Sequence, residues 1–216
     1  MTQRDDDLMF RPFEEGDFER LANLVGKTWL AEFPARAQMA AGRVELAHYL
    51  DQTTWSLVAE REGTLLGAVL LSERGRSTVA GDWARREARL TEGAKEDPDL
   101  LEAIRVEMSG VEEEAALEAE YAASGAPGAA AAVKLLIVSP DAKGLGIGGR
   151  LFSAAIEHLR QTGAKGYHLL TDDACDVSFY EHKGLSQAMS RRSQAYWPGV
   201  DPSTDTFRVY VYEQRL

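Results

Sequence analysis

The sequence predicts an α/β (α+β) fold: a mixed, mainly antiparallel sheet flanked by helices, with a helical insertion ahead of the central strand. Three observations carry this expectation. Glu62-Gly63 separates two apolar, strand-like runs, which is a hairpin signal. Residues 73–128 switch to helical periodicity with a heavy acidic load. From Val133 onward the pattern runs strand, helix, strand, short helix, strand, strand. At 216 residues the chain is long enough to bury a substantial core, and it reads as one domain over 1–216.

Taken in order, Leu8 to Phe13 is a short extended segment. Asp17 precedes a helical pattern in which Phe18, Leu21, Leu24, Val25 and Trp29 recur at three- and four-residue spacing. A second helix lies around Arg43 to Leu50. Strands follow at Trp55 to Glu60 and Thr64 to Leu71. The insertion holds fourteen acidic and seven basic residues, so it supplies a net −7 of the chain's −11. It divides into helices at roughly Asp82 to Glu92 and Pro98 to Tyr121, the second with Leu101, Ile104, Met108 and Val111 on one stripe and charge opposite. Ser124 to Ala132, rich in Ala and Gly, leads into the central strand at Val133. A helix carrying Leu151, Phe152, Ala155 and Leu159 stops near Gly163. Then come a strand at Tyr167 to Thr171, a short helix at Val177 to His182, and strands at Ser186 to Tyr196 and Thr206 to Glu213 around Pro198-Gly199 and Pro202.

The charge of −11 argues against partners that are themselves polyanions, so neither nucleic acid nor an anionic membrane surface is expected. The single Cys175 cannot form an internal disulfide, and the charged start Met1 to Asp7 has no apolar signal region; both point to the cytoplasm. No apolar run approaches the roughly 18 residues a spanning helix needs. Four scattered histidines and one cysteine give no metal-ligand spacing, so no metal is expected.

The most informative stretch is Val133 to Gly149. An apolar run ends at Val138, a Ser-Pro turn follows, and Lys143-Gly144-Leu145-Gly146-Ile147-Gly148-Gly149 opens a helix, with Lys143 and Arg150 flanking. Glycines permit the unusual φ values of a nest of N–H donors and let an anion approach the backbone closely. The positive end of the helix dipole adds to this, making an anion cradle. The alternative is a turn that merely lets the helix pack close to the sheet. A Walker loop would place Lys-Ser/Thr where Arg150 and Leu151 stand. Gly144, Gly146 and Gly149 do satisfy the dinucleotide spacing, but Asp172 and Asp173 lie too far along to hold a ribose.

Some thirty residues later comes Thr171-Asp172-Asp173-Ala174-Cys175-Asp176-Val177-Ser178-Phe179-Tyr180-Glu181-His182-Lys183-Gly184-Leu185. With this segment, the chain resembles the GNAT N-acetyltransferases. The glycine loop resembles their acyl-CoA motif, Arg/Gln-x-x-Gly-x-Gly/Ala, with Lys143, Gly146 and Gly148 at its fixed places. The later segment resembles Asn-x-x-Ala-x-x-x-Tyr-x-x-x-Gly-Phe, with Asp173, Tyr180 and Gly184-Leu185 at the Asn, Tyr and Gly-Phe places. The likeness is close over 132–185 and extends in pattern to the N-terminal strand, helices and hairpin.

The resemblance implies a GNAT-like sheet, acetyl-CoA as co-substrate, and acyl transfer to an amine of a small molecule or peptide. It implies that the pyrophosphate lies on the N–H groups of Leu145 through Gly149, with Lys143, Gly144 and Arg150 beside them. The pantetheine would run along Leu136, Ile137 and Val138, which requires that strand and Tyr167 to Thr171 to splay apart. Phe179 and Asp173 complete the implied cofactor site. Tyr180 is the implied general acid, since a phenol of pKa ~10 stays protonated at neutral pH and can serve a thiolate. Its alternative is packing under the sheet beside Phe179.

Two places depart from the family pattern. Lys143 keeps a charge but loses the planar fork of Arg, and Asp173 cannot donate as Asn does and could instead cap the short helix. The base is open: the central strand begins Ala132-Val133-Lys134 where many relatives carry Glu, leaving Glu32, Glu73 and Glu107 as candidates. His48, His158, His168 and His182 read as surface or packing residues, and Cys175 as a small residue at a helix start rather than a nucleophile. The insertion reads as a solvated helical hairpin or a homodimer contact, or else as a lid attracting a cationic acceptor. Rival functions are a non-catalytic acyl-CoA sensor and a dinucleotide-binding redox domain.

Overall fold

The computed structural model describes residues 8–142, 144–201 and 203–216. The readings for Met1 to Asp7, for Lys143 and for a turn at Pro202 lie outside the described residues. Seven strands form one sheet: β1 (Leu8–Arg11), β2 (Trp55–Arg61), β3 (Thr64–Glu73), β4 (Ala131–Val138), β5 (Gly166–Asp172), β6 (Ser186–Arg192) and β7 (Arg208–Arg215), in the order β1-β2-β3-β4-β5-β7-β6. Every neighbouring pair is antiparallel except β4 with β5. The β2–β3 hairpin closes through Glu62 at φ 50° and Gly63 at φ 76°, the left-handed pair that a two-residue turn demands.

One face of the sheet is covered by α1 (Phe18–Trp29) and α2 (Ala35–Gln52), the other by α5 (Ile147–Thr162). Phe18, Leu21, Leu46 and Leu50 pack on Val58, Ala68 and Ile137; Leu151, Phe152 and Leu159 pack on Val69, Leu71 and Leu169. α1 and α2 touch backbone to backbone. A Cβ on Gly42 would lie 2.2 Å from the Ala22 carbonyl oxygen, and one on Gly26 would lie 2.0 Å from that of Gln38. The αL glycine Gly163 ends α5 at the expected place.

β4 carries the feature that shapes the site. Leu70 pairs with Leu135 and Leu71 with Val133, so Lys134 is an extra residue, a bulge. The bulge inverts the alternation: Val133 faces α5, whereas Leu135 and Ile137 face α1 and α2. β4 and β5 pair only at Ala132 with His168 and Val133 with Leu169. Beyond the bulge they separate, as the family resemblance requires.

The insertion forms α3 (Trp83–Ala94) and α4 (Pro98–Ala123). Asp97 caps α4 by accepting from the N–H groups of Asp99 and Leu100. Ala103, Ile104, Val106, Val111, Leu117 and Tyr121 are buried, but Leu101 is 40 % exposed and leaves the expected stripe. α4 is not a free-standing hairpin: its Glu113 is buried and accepts hydrogen bonds from the Ser193 hydroxyl and the Gln194 N–H. That attachment ends β6 at Arg192 instead of Tyr196. Two other boundaries move earlier, β4 starting at Ala131 and α2 at Ala35.

Candidate functional site

A cavity of 540 Å³ opens where β4 and β5 part. β4 supplies Val133 to Leu136 and β5 supplies Leu169 to Asp172. α2 contributes Glu45, His48 and Tyr49; α4 contributes Glu107, Val111, Glu114 and Glu118. Tyr196, Trp197 and Phe207, from the connection between β6 and β7, close the far side. That connection is strapped to α4, with the Tyr196 N–H donating to Ser109 Oγ at 2.7 Å and the Arg105 guanidinium 3.7 Å from the Tyr196 ring centroid.

The glycine loop lies at the far end of β4. Gly144 (φ 82°) and Gly146 (φ 65°) hold the left-handed conformation that glycine adopts without a Cβ penalty, and α5 begins at Ile147. The first turn of a helix leaves its N–H groups without intrahelical acceptors. Space above the loop is open: a Cβ at Gly144 or Gly146 would meet nothing within 4 Å, while one at Gly148 would sit 3.3 Å from Val138 Cγ2. The cradle therefore fits a pyrophosphate at the end of the strand that lines the cavity. Among the described residues β4 from 134 to 138 has no strand partner on the β5 side, so its backbone edge can pair with an extended group. Leu136 lines the cavity, Ile137 turns its side chain into the α1–α2 core, and Val138 abuts Gly148. Leu145 is half-buried against the α5 core and Ile147 fully buried. Arg150 stands 4.4 Å from the Phe10 ring centroid. Lys183, which sequence reasoning passed over, brings its ammonium within 3.7 Å of where a Gly149 Cβ would be.

α6 (Val177–His182) places Tyr180 in the cavity wall. Burial, reinforced by the negative charge of Asp172, pushes the Tyr180 hydroxyl well above a phenol's usual pKa, so it stays protonated. Phe179 faces elsewhere, packing edge-on to Phe152 at 5.7 Å. Asp173 neither caps α6 nor turns to the loop, since it accepts from the Arg208 N–H and the Tyr210 hydroxyl on β7. Cys175 lines the cavity, but burial followed by the Asp172 charge raises its thiol to about 11, so it is not a thiolate at neutral pH.

The carboxylates other than Glu107 are the unforeseen component. Burial, then the neighbouring charge of Glu107, lifts Glu45 well above the usual carboxylate range; burial lifts Glu107 as well. Glu114 rises to about 7 through burial and the charge of Asp172, although Lys134 opposes the shift. Tyr49 donates to Glu114 at 3.3 Å. Glu118 behaves oppositely. Burial works against its charge, but bonds from His168 at 3.0 Å and Lys134 at 2.6 Å outweigh it and hold the carboxyl down at about 2.

Of the sequence candidates for a base, only Glu107 reaches the cavity. Glu32 is exposed outside it, and Glu73 is tied to His158 and Thr162. His168 is buried between Gly128 and Glu118, and His182 bonds the Ser178 carbonyl. His48, at the cavity rim, meets Gln52 at 3.0 Å. Glu107, Glu114 and Glu118 are spaced seven and four apart, one face of a helix. That spacing was the available signal for an acidic stripe turned inward.

Comparison with known proteins adds three findings. A family model described as the acetyltransferase (GNAT) family matches residues 18–185. No curated protein matches the sequence. Among solved structures, an agmatine N-acetyltransferase in its apo form is 18 % identical with a TM-score of 0.56, covering 97 % of this chain and 100 % of its own. Ard1 from Thermoplasma volcanium is 13 % identical with a TM-score of 0.55 over 97 % of this chain and 98 % of that one. The ribosomal-protein-S18-alanine N-acetyltransferase from Escherichia coli is 12 % identical with a TM-score of 0.54, over 96 % and 93 %. At such identities these likenesses show the fold alone.

Proposed function

The chain belongs to the acetyltransferase (GNAT) family, and from that premise we propose that it transfers an acyl group, acetyl from acetyl-CoA, to an amine of a small molecule or peptide by direct attack. The observation that carries this reading is the parting of β4 and β5 over a cavity holding Tyr180 and Glu114, with an open glycine cradle at the end of β4.

Bound acetyl-CoA would supply the activated acyl thioester. The N–H groups from Gly146 to Gly149 would hold its pyrophosphate at the positive end of α5, with Lys183 adding charge; the Leu145 N–H, expected to join them, instead donates to the Ala142 carbonyl at 3.2 Å. The edge of β4 from 134 to 138 would orient the pantetheine. Glu114 is the base: with its pKa near 7 it takes a proton from the acceptor ammonium at neutral pH. The freed amine forms the new C–N bond as the C–S bond breaks. Tyr180 would give its hydroxyl proton to the departing thiolate and recover one from the nitrogen, which must shed its second proton as the amine becomes an amide. The Tyr180 phenol lies within reach of the Glu114 charge, which favours its protonated form. Cys175, held as a thiol, takes no covalent part.

No helix among the described residues is long and apolar enough to cross a membrane; a cytoplasmic enzyme of one domain is part of the proposal. Thermal shift tests the cofactor. Acetyl-CoA should raise the melting temperature and NAD should not, and stabilisation by NAD alone would overturn the reading. A protein that binds acetyl-CoA but releases no thiol with any amine would instead be a sensor.

A further inference from the structure

We propose that the acceptor is a linear aliphatic diamine or polyamine, its distal cation held between Glu45 and Glu107 while its reacting nitrogen lies at Glu114. This rests on the transferase reading above and names its substrate class.

The carboxylate cluster alone would not carry the point; the state of Glu45 does. Glu45 is 3 % exposed, lines the cavity, and its Oε2 accepts no hydrogen bond. Its carboxyl faces that of Glu107, and without a ligand the two share a proton, so the pair keeps a buried negative charge, which is costly unless a donor or cation matches it. Among the described residues, no cation lies against Glu45 or Glu107. The one lysine among the described residues that lines the cavity, Lys134, is committed to Glu118 at 2.6 Å. Nor do the described residues include a group of His, Cys, Asp and Glu placed to hold a metal ion. The missing partner therefore has the chemistry of an organic cation.

Shape selects among organic cations. Glu107 and Glu114 are two turns apart on α4, about 10 Å along its axis. Trp29, Val106, Val111 and Leu136 supply apolar lining to the same cavity. Two separated carboxylate positions within a partly apolar cavity suit a methylene chain charged at both ends. A compact monocation would leave one position unmatched. The acidic insertion, read from sequence as a solvated hairpin or a lid, thus contributes to specificity through its inner face.

The test is thiol release from acetyl-CoA with hexamethylenediamine against hexylamine. A charge-assisted contact predicts a diamine preference in kcat/KM of about ten- to a hundredfold. Glu45→Gln and Glu107→Gln should each cut that ratio about tenfold. Glu112→Gln, exposed and outside the cavity, should keep it. Glu107→Gln carries the test if Glu45→Gln fails to fold, as judged by its melting curve. A ratio near one in the wild-type protein, or a ratio that survives Glu107→Gln, overturns the inference and leaves the transferase reading standing. Thiol release with neither these nor any other amine overturns both.

Discussion

Replacing Glu114 with glutamine keeps the shape of the side chain and removes the proposed base. In the folded protein its pKa stands at about 7 against an ordinary 4.5. Below pH 7, kcat at saturating acetyl-CoA and amine should therefore fall about tenfold per pH unit, and it should flatten above about pH 8. General base catalysis contributes roughly 10²- to 10⁴-fold, so Glu114→Gln should lower the plateau by at least about a hundredfold and abolish the inflection near pH 7. Glu107→Gln should retain the inflection and move it slightly lower, because the charge of Glu107 helps to raise Glu114. The assay is thiol release between pH 5.5 and about 9 in quenched samples, with the thiol read at one fixed pH because its own pKa of ~8.5 falls inside that range. A Glu114→Gln enzyme within threefold of wild type, with its inflection intact, would refute the assignment.

The same shift carries a stability consequence. A folded pKa raised above the unfolded value contributes stability that is complete below about pH 4.5 and lost as pH rises through about 7; at 1.36 kcal/mol per unit the loss is at most about 3 kcal/mol. Chemical denaturation at pH 8 should accordingly find Glu114→Gln more stable than wild type, with the gain vanishing by pH 4. Tyr180→Phe should lower kcat by about 10²-fold or more while acetyl-CoA still shifts the melting temperature as in wild type; an unchanged kcat across pH removes Tyr180 from the mechanism. Gly148→Val would crowd Val138 at the cradle, so the acetyl-CoA-induced thermal shift should shrink, and a full shift would contradict a phosphate site there. Gly42→Ala forces a carbon to 2.2 Å from the Ala22 carbonyl oxygen; urea unfolding should show a loss of about 1–3 kcal/mol or more, and a neutral result would contradict the backbone contact between α1 and α2.

Local signals in the chain were readable and distant ones were not. The Glu62-Gly63 turn, the α6 boundaries and the Gly163 stop follow from turn chemistry and periodicity within a few residues, and the structure places them as expected. The bulge at Lys134 was invisible, because one extra residue in an apolar run leaves no compositional trace, yet it reverses which face Leu135 occupies. β6 ends early because Ser193 and Gln194 turn to meet Glu113, a partner about eighty residues away. Glu45 and Glu114 escaped notice for the same reason: α2 and α4 meet only in the folded protein, and an acidic helix face reads as solvated until something covers it. Asp173 was placed by its position in a motif, whereas β7, distant in sequence, holds its carboxylate.

The central claim is that an amine attacks acetyl-CoA in the cleft between β4 and β5. Its most direct test is one experiment on the wild-type protein: acetyl-CoA with a panel of amines, following thiol release and the mass of the product together. The account predicts amine-dependent release, with the acetylated amine formed in equal amount. Binding of acetyl-CoA with no amine-dependent release across the panel would contradict it.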